Sequence, residues 1–310
     1  SIAILPFQDI SLQKDQEPLC EAMTDGITTK LASIAELKVI PYYSVRQYKN
    51  KDKSPKEIGK ELNVEAILAP TLQKLGNKIH VSSQLIDVNS GFAIGSYEED
   101  SDFEDILAVQ DKISKEIATR LKVDLAEERL KDIKKREPKS AEANRYYIKA
   151  RYFERKFWDF EEQRDFEAAV DNFEKAIKVD ESYALAYWAL GNTYQAKFVK
   201  DDKWKDFDLM ENNYMKAYQI DKNLAEANVG LGWARFYKND SDEAYGFNKK
   251  ALELDPNNPE INRHVGSFLR DIGLYHKAIE FYSRAIEVDP VSTTYRDDCA
   301  RCYMFIGEFK

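Results

Sequence analysis

The sequence predicts an α/β (α+β) amino-terminal domain built on a five-stranded mixed sheet, followed by an all-α array of paired helices. Strand and helix patterns alternate over residues 1–123 without an internal period. In the second half, alanine and glycine recur every 34 residues, which is typical of stacked helix pairs. The 310 residues suffice for both domains, since one domain takes roughly 150 residues.

The composition is that of an ordinary globular protein. Hydrophobic residues make up 43% of the chain, charged residues make up 33%, and the net charge is −9. Nucleic-acid binding is not predicted, because the one basic run, Lys131–Lys139, also contains Asp132, Glu137 and Pro138. No stretch reaches the ~20 consecutive apolar residues that span a bilayer. We therefore expect no membrane contact by this part of the protein, although a larger parent chain could be membrane-tethered.

The first half of the amino-terminal domain, which covers residues 1–123, should contain two strands and two helices. An apolar run at 2–7 predicts a strand. The helix after it has an apolar face made of Leu19, Met23, Ile27, Leu31 and Ile34. A second strand is predicted at 37–43, at an edge of the sheet because it contains Pro41. Ser54-Pro55-Lys56-Glu57 is a capping box that predicts the start of a short helix.

The second half of this domain should be an antiparallel meander closed by a helix. Its three strands are predicted at 65–74, 78–88 and 92–98, with glycine-containing turns between them. An amphipathic helix over 103–121, capped by Asp102, follows. The acidic pattern Asp100-x-Asp102-x-Glu104 is similar to a calcium loop, but it lacks the required glycine and is interpreted as a helix start.

Four short motifs carry a family resemblance. They are Ile4-Leu5-Pro6-Phe7, Asp25-Gly26-Ile27, Glu57-Ile58-Gly59-x-x-Leu62 and Gln84-Leu85-Ile86-Asp87. In this order they resemble the amino-terminal domain of TolB, in the version joined to tetratricopeptide repeats in bacterial signalling proteins. Those proteins include class III adenylate and guanylate cyclases, serine/threonine kinases and winged-helix regulators. The resemblance implies a regulatory module that lies beside an effector domain.

The second half of the chain repeats itself. Ala217, Ala251 and Ala285 are 34 residues apart, as are Gly232 and Gly266. This period resembles the tetratricopeptide repeat, a pair of antiparallel helices that cross at small residues. We expect a helical linker over 124–139 and repeats over 140–310, comprising four complete repeats and the first helix of a fifth. Because the pattern stops inside a repeat, the chain is expected to be part of a longer protein whose solenoid continues.

The first helices of the repeats should line a partner-binding groove. Residues three and four apart share one face of a helix. That spacing selects Trp188, Asn192, Gln195, Trp233, Phe236, Arg263, Arg270 and Arg301. Aromatic rings offer rigid contact area and arginines bind carboxylates, so this face suits a partner segment with apolar anchors and acidic groups. The alternative is that the tryptophans pack between repeats and the arginines are simply solvated.

Two functional classes follow. We favour a non-catalytic interaction module that binds a protein or peptide, with self-association also expected through an apolar face that includes Tyr303, Phe305 and Ile306. The alternative is a small-molecule sensor, with a ligand at the carboxyl ends of the first two strands. The residues of that ligand edge would be Gln8, Asp9, Ser11 and Arg46.

An enzyme, a metal site and a cofactor are not predicted. Phosphate-loop, dinucleotide, nucleophile-elbow and zinc-protease motifs do not occur. The histidines, His80, His264 and His276, lie in unrelated places. Cys299 and Cys302 form a C-x-x-C pattern without a second ligand pair, so buried packing thiols are the favoured interpretation.

Overall fold

In a computed structural model, the described residues are 1–32, 34, 37–123, 134, 136–201 and 203–307. They fall into two compact units. Unit 1 comprises Ser1–Lys134 and Ile286–Arg296, and unit 2 comprises Lys135–Ala285 and Asp297–Lys310. Most of the predicted linker, residues 124–133 and 135, lies outside the described residues.

Unit 1 is built on the mixed five-stranded sheet that the sequence predicts. Its strands are β1 (Ile2–Ile4), β2 (Gln8–Asp9), β3 (Ala66–Leu75), β4 (Lys78–Asp87) and β5 (Ala93–Asp102). The order is β1-β3-β4-β5, and β2 also pairs with β3. β1 and β2 run parallel to β3, whereas β3, β4 and β5 form the predicted antiparallel meander. The first hairpin turns at Gly76, whose φ of 66° favours glycine.

Four helices cover this sheet unequally. They are α1 (Glu17–Ala32), α2 (Tyr42–Val45), α3 (Pro55–Glu61) and α4 (Ile106–Arg120). α1 and α4 supply Met23, Ile27 and Ile113 to the larger core, where Leu68 and Val81 of the sheet lie. A smaller core forms around α2 and α3 and includes Ile58, Leu62 and Ile67. Beyond this smaller core, the same face of the sheet is partly exposed and carries both polar residues, such as Gln84 and Glu98, and apolar ones, such as Leu75 and Ile94.

A buried ion pair joins α1 to α4. Lys30 is only 3% exposed and pairs with Asp111, and its ammonium also donates to the carbonyl of Leu107 at 3.4 Å. A lysine is rarely buried to this degree unless it is paired. The pair therefore fixes how the two helices lie against each other.

Two local predictions need correction. The strand predicted at 37–43 is reduced to a single bridge between Val39 and Ile2, and the chain then turns into α2. The fifth strand of the sheet is instead β2. The last strand reaches Asp102, four residues beyond the predicted end, because it stays paired with β4 down to Lys78. Capping at Ser54 is confirmed, since Glu57 N–H donates to the Ser54 hydroxyl and Ser54 N–H donates to Glu57.

Residues 141–306 form successive helix pairs, most of which belong to unit 2. The nine helices within the described residues are α5 (Ala141–Phe160), α6 (Gln163–Val179), α7 (Ala184–Asp201), α8 (Trp204–Ile220), α9 (Ala225–Tyr237), α10 (Ser241–Leu254), α11 (Pro259–Asp271), α12 (Tyr275–Val288) and α13 (Thr293–Ile306). Within a pair, α5 packs on α6, α7 on α8, and α9 on α10. The first helices also contact one another, from α5 to α7, α9 and α11 in turn. They therefore form one continuous wall.

The 34-residue period reflects the crossings inside each pair. A Cβ atom on Gly191 would lie 2.7 Å from the ring of Tyr214, and one on Gly266 would lie 2.9 Å from the ring of Tyr282. Both rings are fully buried. In the third pair, Gly232 faces Asn248 in the same way, at 2.8 Å. Glycine is thus required where a second helix places its large side chain against the first.

We predict that Gly266→Ala lowers the free energy of unfolding by about 1–3 kcal/mol, because the added methyl must displace the packed Tyr282 ring. The matched control is Gly246→Ala on α10, where an added Cβ would meet no atom within 4 Å. This substitution should be neutral or stabilising by up to about 1 kcal/mol, since alanine favours a helix over glycine. Urea unfolding followed by circular dichroism measures both. Equal effects of the two substitutions would contradict the crossing argument.

Candidate functional site

The predicted groove residues lie on the wall of first helices. Trp188, Asn192 and Gln195 are on α7, Trp233 and Phe236 on α9, Arg263 and Arg270 on α11, and Arg301 on α13. The structure groups them into three clusters with different chemistry. The first is polar, the second is aromatic and the third is charged.

The polar cluster surrounds a buried carboxylate. Glu154 on α5 is 1% exposed and accepts hydrogen bonds from Arg151 Nη1 at 2.5 Å and from Asn192 Nδ2 at 2.8 Å. The Arg151 guanidinium also lies 5.4 Å from the centre of the Trp188 ring, a cation–π contact. Asn192 is therefore committed to an internal hydrogen bond.

Sequence reasoning missed Arg151 and Glu154, although a signal was present. The first two repeats are offset by 41 residues, so Arg151 and Glu154 occupy the places of Asn192 and Gln195. Applying the same helical spacing to the first repeat would have placed both on the wall.

Gln195 connects the wall to the second helix of its pair. Its Oε1 accepts a hydrogen bond from the Tyr214 hydroxyl at 2.6 Å, and both groups are buried. Burial raises the pKa of the Tyr214 phenol well above its ordinary value, so the group remains a donor. Gln195 thus helps to orient the ring that fills the space beside Gly191.

The aromatic residues are partly exposed and partly engaged in packing. Trp233 stacks on Tyr237 with ring centres 4.0 Å apart. The rings of Phe198 and Trp233 make an edge-to-face contact, with their centres 6.1 Å apart. Phe236 makes an edge-to-face contact with Phe268 of the next first helix at 5.7 Å. Trp188 packs against residues of the neighbouring helix pairs. These rings join successive pairs while keeping some surface on the wall.

Three arginines from two successive first helices, α11 and α13, surround Asp298 of α13. Its carboxylate lies 3.2 Å from Arg270 Nη1, 3.8 Å from Arg263 Nη1 and 3.9 Å from Arg301 Nη1. Arg270 also pairs with Asp271, while the Arg301 side chain remains 65% exposed. Asp298 is only 9% exposed, so the carboxylate that the three arginines share is nearly buried. Arg263 and Arg270 thus take part in an ion-pair network, whereas most of the Arg301 side chain is solvated.

Glu226 on α9 is a further charged group on the wall. Its Oε2 atom is buried without a hydrogen-bond partner. Burial raises the pKa of this carboxyl, and the nearby Asp255 and Asp221 act in the same direction. A hydrogen bond from the backbone N–H of Glu226 itself and the charge of Arg136 oppose this shift only in part. A buried acceptor without a donor reduces stability.

The predicted ligand edge of unit 1 is engaged in loop structure. Asp9 accepts hydrogen bonds from the N–H groups of Ser11 and Gln16, each at 2.9 Å, and the Ser11 hydroxyl accepts from Lys74 N–H at 2.9 Å. Although burial opposes it, this hydrogen bonding lowers the pKa of Asp9. Gln8 is exposed on β2, and Arg46 lies 4.1 Å from the Tyr43 ring. Asp9 and Ser11 therefore shape the loop between β2 and α1.

Over the described ranges, no group of three or more histidine, cysteine or acidic residues could hold a metal ion. No helix in the same part of the chain is long and apolar enough to cross a membrane. Cys299 and Cys302 are free and buried, and burial raises the pKa of the Cys302 thiol to about 11. A thiol with such a pKa is protonated and unreactive near neutral pH.

We predict that Glu226→Gln stabilises the protein near pH 7 and has little effect at pH 4. The raised pKa means that the folded state favours the protonated acid, so the destabilisation from the charged form grows as the pH rises above the ordinary 4.5. Glu253→Gln, on exposed α10 surface, is the control and should show no such trend. Urea unfolding at both pH values measures the difference. A pH-independent effect of Glu226→Gln would contradict the assignment.

Comparison with known proteins agrees with the helix-pair architecture. Residues 162–197 match a model described as TPR repeat, and residues 264–292 match one described as Tetratricopeptide repeat. Similar solved structures include TTC0263, a TPR protein of Thermus thermophilus, which is 18% identical to this chain with a TM-score of 0.41. The match covers 52% of this chain and 92% of the TTC0263 chain. PilW, titled a type IV pilus biogenesis factor, is 22% identical with a TM-score of 0.44 and covers 54% of this chain and 70% of its own.

Two further similarities concern binding and signalling proteins. YrrB, titled a TPR protein with an unusual peptide-binding site, is 20% identical with a TM-score of 0.35, over 53% of this chain and 78% of its own. Putative adenylate cyclase 3 of Rhizobium meliloti (strain 1021) is 33% identical over 125 residues. This match covers 40% of the chain but only 21% of that relative's length. The recurring glycine crossings and the two model matches together identify the helix pairs of unit 2 as tetratricopeptide repeats.

Proposed function

We propose that this chain is a non-catalytic interaction module of a larger bacterial signalling protein, and that it binds a partner segment along the wall of first helices. Tetratricopeptide repeats are protein-interaction modules, which supports the general role. The similarity to a putative adenylate cyclase, of which the chain spans about a fifth, supports an attached effector of that kind. The motifs of unit 1 support our assignment of it as the TolB-like domain of such a protein.

The arginine cluster at Asp298 is the observation that carries this proposal. An arginine has five N–H donors, and Asp298 engages one nitrogen of each of Arg270 and Arg301. Arg301 is largely exposed, so it has donors for a carboxylate of a partner. Asp298 holds the guanidinium groups in place before a partner arrives, which lowers the entropic cost of binding.

The aromatic cluster would supply the apolar part of the same interface. Trp188, Trp233 and Phe236 keep partly exposed ring surface, and their packing contacts hold them rigid. Rigid aromatic anchors contribute large contact area at low entropic cost. A bound segment would thus place apolar side chains against α7 and α9 and acidic side chains against α11 and α13.

We predict that peptides selected from a random display library on this chain are enriched in acidic and large apolar residues. Their affinity should fall about tenfold for the variant Arg270→Gln, Arg301→Gln, because charge-assisted hydrogen bonds are lost. The control Lys249→Gln, Arg284→Gln alters two cations on the second helices α10 and α12 and should bind as the parent does. Fluorescence anisotropy gives the dissociation constants, and circular dichroism confirms the fold. Equal affinity of the peptides for the parent and for both variants would contradict the proposal that these arginines belong to the partner-binding groove.

The structure offers little support for the alternative function, a small-molecule sensor at the ligand edge of unit 1. Asp9 and Ser11 are engaged in the loop and Arg46 contacts the Tyr43 ring, so three of the four residues of the proposed ligand edge already have partners within unit 1. Within the described residues of unit 1, no observation points to a particular small-molecule ligand. The interaction module is therefore the favoured function.

We also expect weak self-association through α13. Tyr303 and Phe305 are 40% and 65% exposed, and Phe305 stacks on Tyr275 at 5.0 Å. Exposed apolar side chains in one patch favour contact between copies. Sedimentation equilibrium should show a dimer at high concentration that is weakened by Phe305→Asp and unchanged by Phe92→Asp, which alters the 75%-exposed Phe92 of unit 1. A monomer at all concentrations would rule this out.

A further inference from the structure

The last strand of the unit 1 sheet has one open edge. β5 is ten residues long and lies at the end of the sheet order, with β4 on one side. In the described part of the chain, no strand pairs with its other side. A strand edge of this length presents unpaired backbone groups and is a template for another extended chain.

The hydrogen-bond alternation shows which backbone groups face outwards. Phe103 N–H donates to the carbonyl of Asn77 at 3.0 Å, which makes these two residues a hydrogen-bonded pair. In an antiparallel ladder, such pairs alternate with pairs whose N–H and C=O groups point away from each other. With the observed register, the outward-pointing groups belong to Ser96, Glu98, Asp100 and Asp102. The side chains of these four residues share the exposed face of the sheet.

The same edge is strongly acidic. Residues 98–105 contain six carboxylates. The side chains of Glu98 and Asp100 are 73% and 76% exposed. His80 of β4 lies between them, 3.3 Å from Glu98 Oε1 and 2.9 Å from Asp100 Oδ1, and so holds both carboxylates at this edge. Each carboxylate has a second oxygen that can accept further donors.

The acidic side chains indicate what kind of strand could pair with the open edge of β5. A second copy of β5 that paired over the acidic half of the strand, residues 98–102, would place carboxylates opposite carboxylates, and like charges directly across a ladder are destabilising. A cationic strand would instead place opposite charges in register at every second residue. The pattern therefore disfavours self-pairing and favours a basic extended segment.

We propose that β5 is a docking edge for an extended segment of another protein that carries lysine or arginine at alternate positions. The segment adds antiparallel to β5 as a sixth strand of the sheet. Its basic side chains lie opposite Glu98, Asp100 and Asp102, and their own N–H and C=O groups bond to the outward backbone groups of β5. A small uncharged residue fits opposite Ser96, and the regular register ends there because Ile94 is the extra residue of a β-bulge. This site is separate from the wall of first helices and does not depend on it.

The test uses labelled eight-residue peptides and the whole chain. The probe alternates threonine and lysine, and its isomer has four threonines followed by four lysines. Two further forms carry N-methyl groups, either on the lysine amides or on the threonine amides. The charge variant is Glu98→Lys, Asp102→Lys, and its matched control is Asp52→Lys, Asp208→Lys, which changes the net charge equally at exposed sites. Circular dichroism confirms that each variant is folded.

We expect the alternating peptide to bind with a micromolar dissociation constant by fluorescence anisotropy. The isomer and the lysine-methylated form should bind at least tenfold more weakly, whereas the threonine-methylated form should bind like the probe. Glu98→Lys, Asp102→Lys should weaken binding about tenfold or more, and the control variant by much less.

Equal binding of the isomer, or no effect of lysine methylation, would overturn the proposal, since attraction between net charges would then suffice. Absence of binding by the probe would also overturn it. In that case the carboxylates would serve only to keep copies apart, and Glu98→Lys, Asp102→Lys would self-associate without binding the peptide. Because the groove lies in unit 2, none of these outcomes bears on the wall of first helices.

Discussion

The close approach of two helices at a glycine is the constraint on which the second half of this chain depends. Tyr214 and Tyr282 fill the space beside Gly191 and Gly266, and each ring also reaches the first helix through its hydroxyl. Tyr214 donates to Gln195, and the Tyr282 hydroxyl lies 3.1 Å from that of Ser267. A single side chain therefore sets both the distance between the helices and the orientation of a residue on the wall. In the third pair, where Asn248 replaces tyrosine, the wall carries no equivalent hydroxyl contact from that position.

Charged groups on the wall differ in how fully they are compensated. Glu154 is almost completely buried and has two donors, so its burial is stabilised. Asp298 is approached by three guanidinium groups. Glu226 has an oxygen with no donor at all, and it lies on the helix between these two sites. Of these three carboxylates, Glu226 is therefore the one whose burial is least compensated.

Local patterns were predictable, and long-range pairings were not. The repeat period, the meander and the Ser54 capping box depend on residues close in sequence, and each is found where the pattern indicated. The strand at 37–43 failed because Pro41 and the following turn into α2 leave room for only one bridge. The roles of Asp9, Asn192 and Asp298 depend on partners many residues away. A spacing rule can place such side chains on a face, but it cannot show that an internal partner already occupies them.

The ion pair between Lys30 and Asp111 has an evolutionary consequence. Loss of Asp111 would leave the buried Lys30 ammonium without this carboxylate, whereas loss of Lys30 would leave Asp111 beside Lys134, whose ammonium lies 3.5 Å away. A lysine at position 30 therefore requires an acid at position 111, but an acid at position 111 does not require a base at position 30. Among descendants of this sequence the order of change should be fixed: position 30 can become aliphatic first, and position 111 only afterwards.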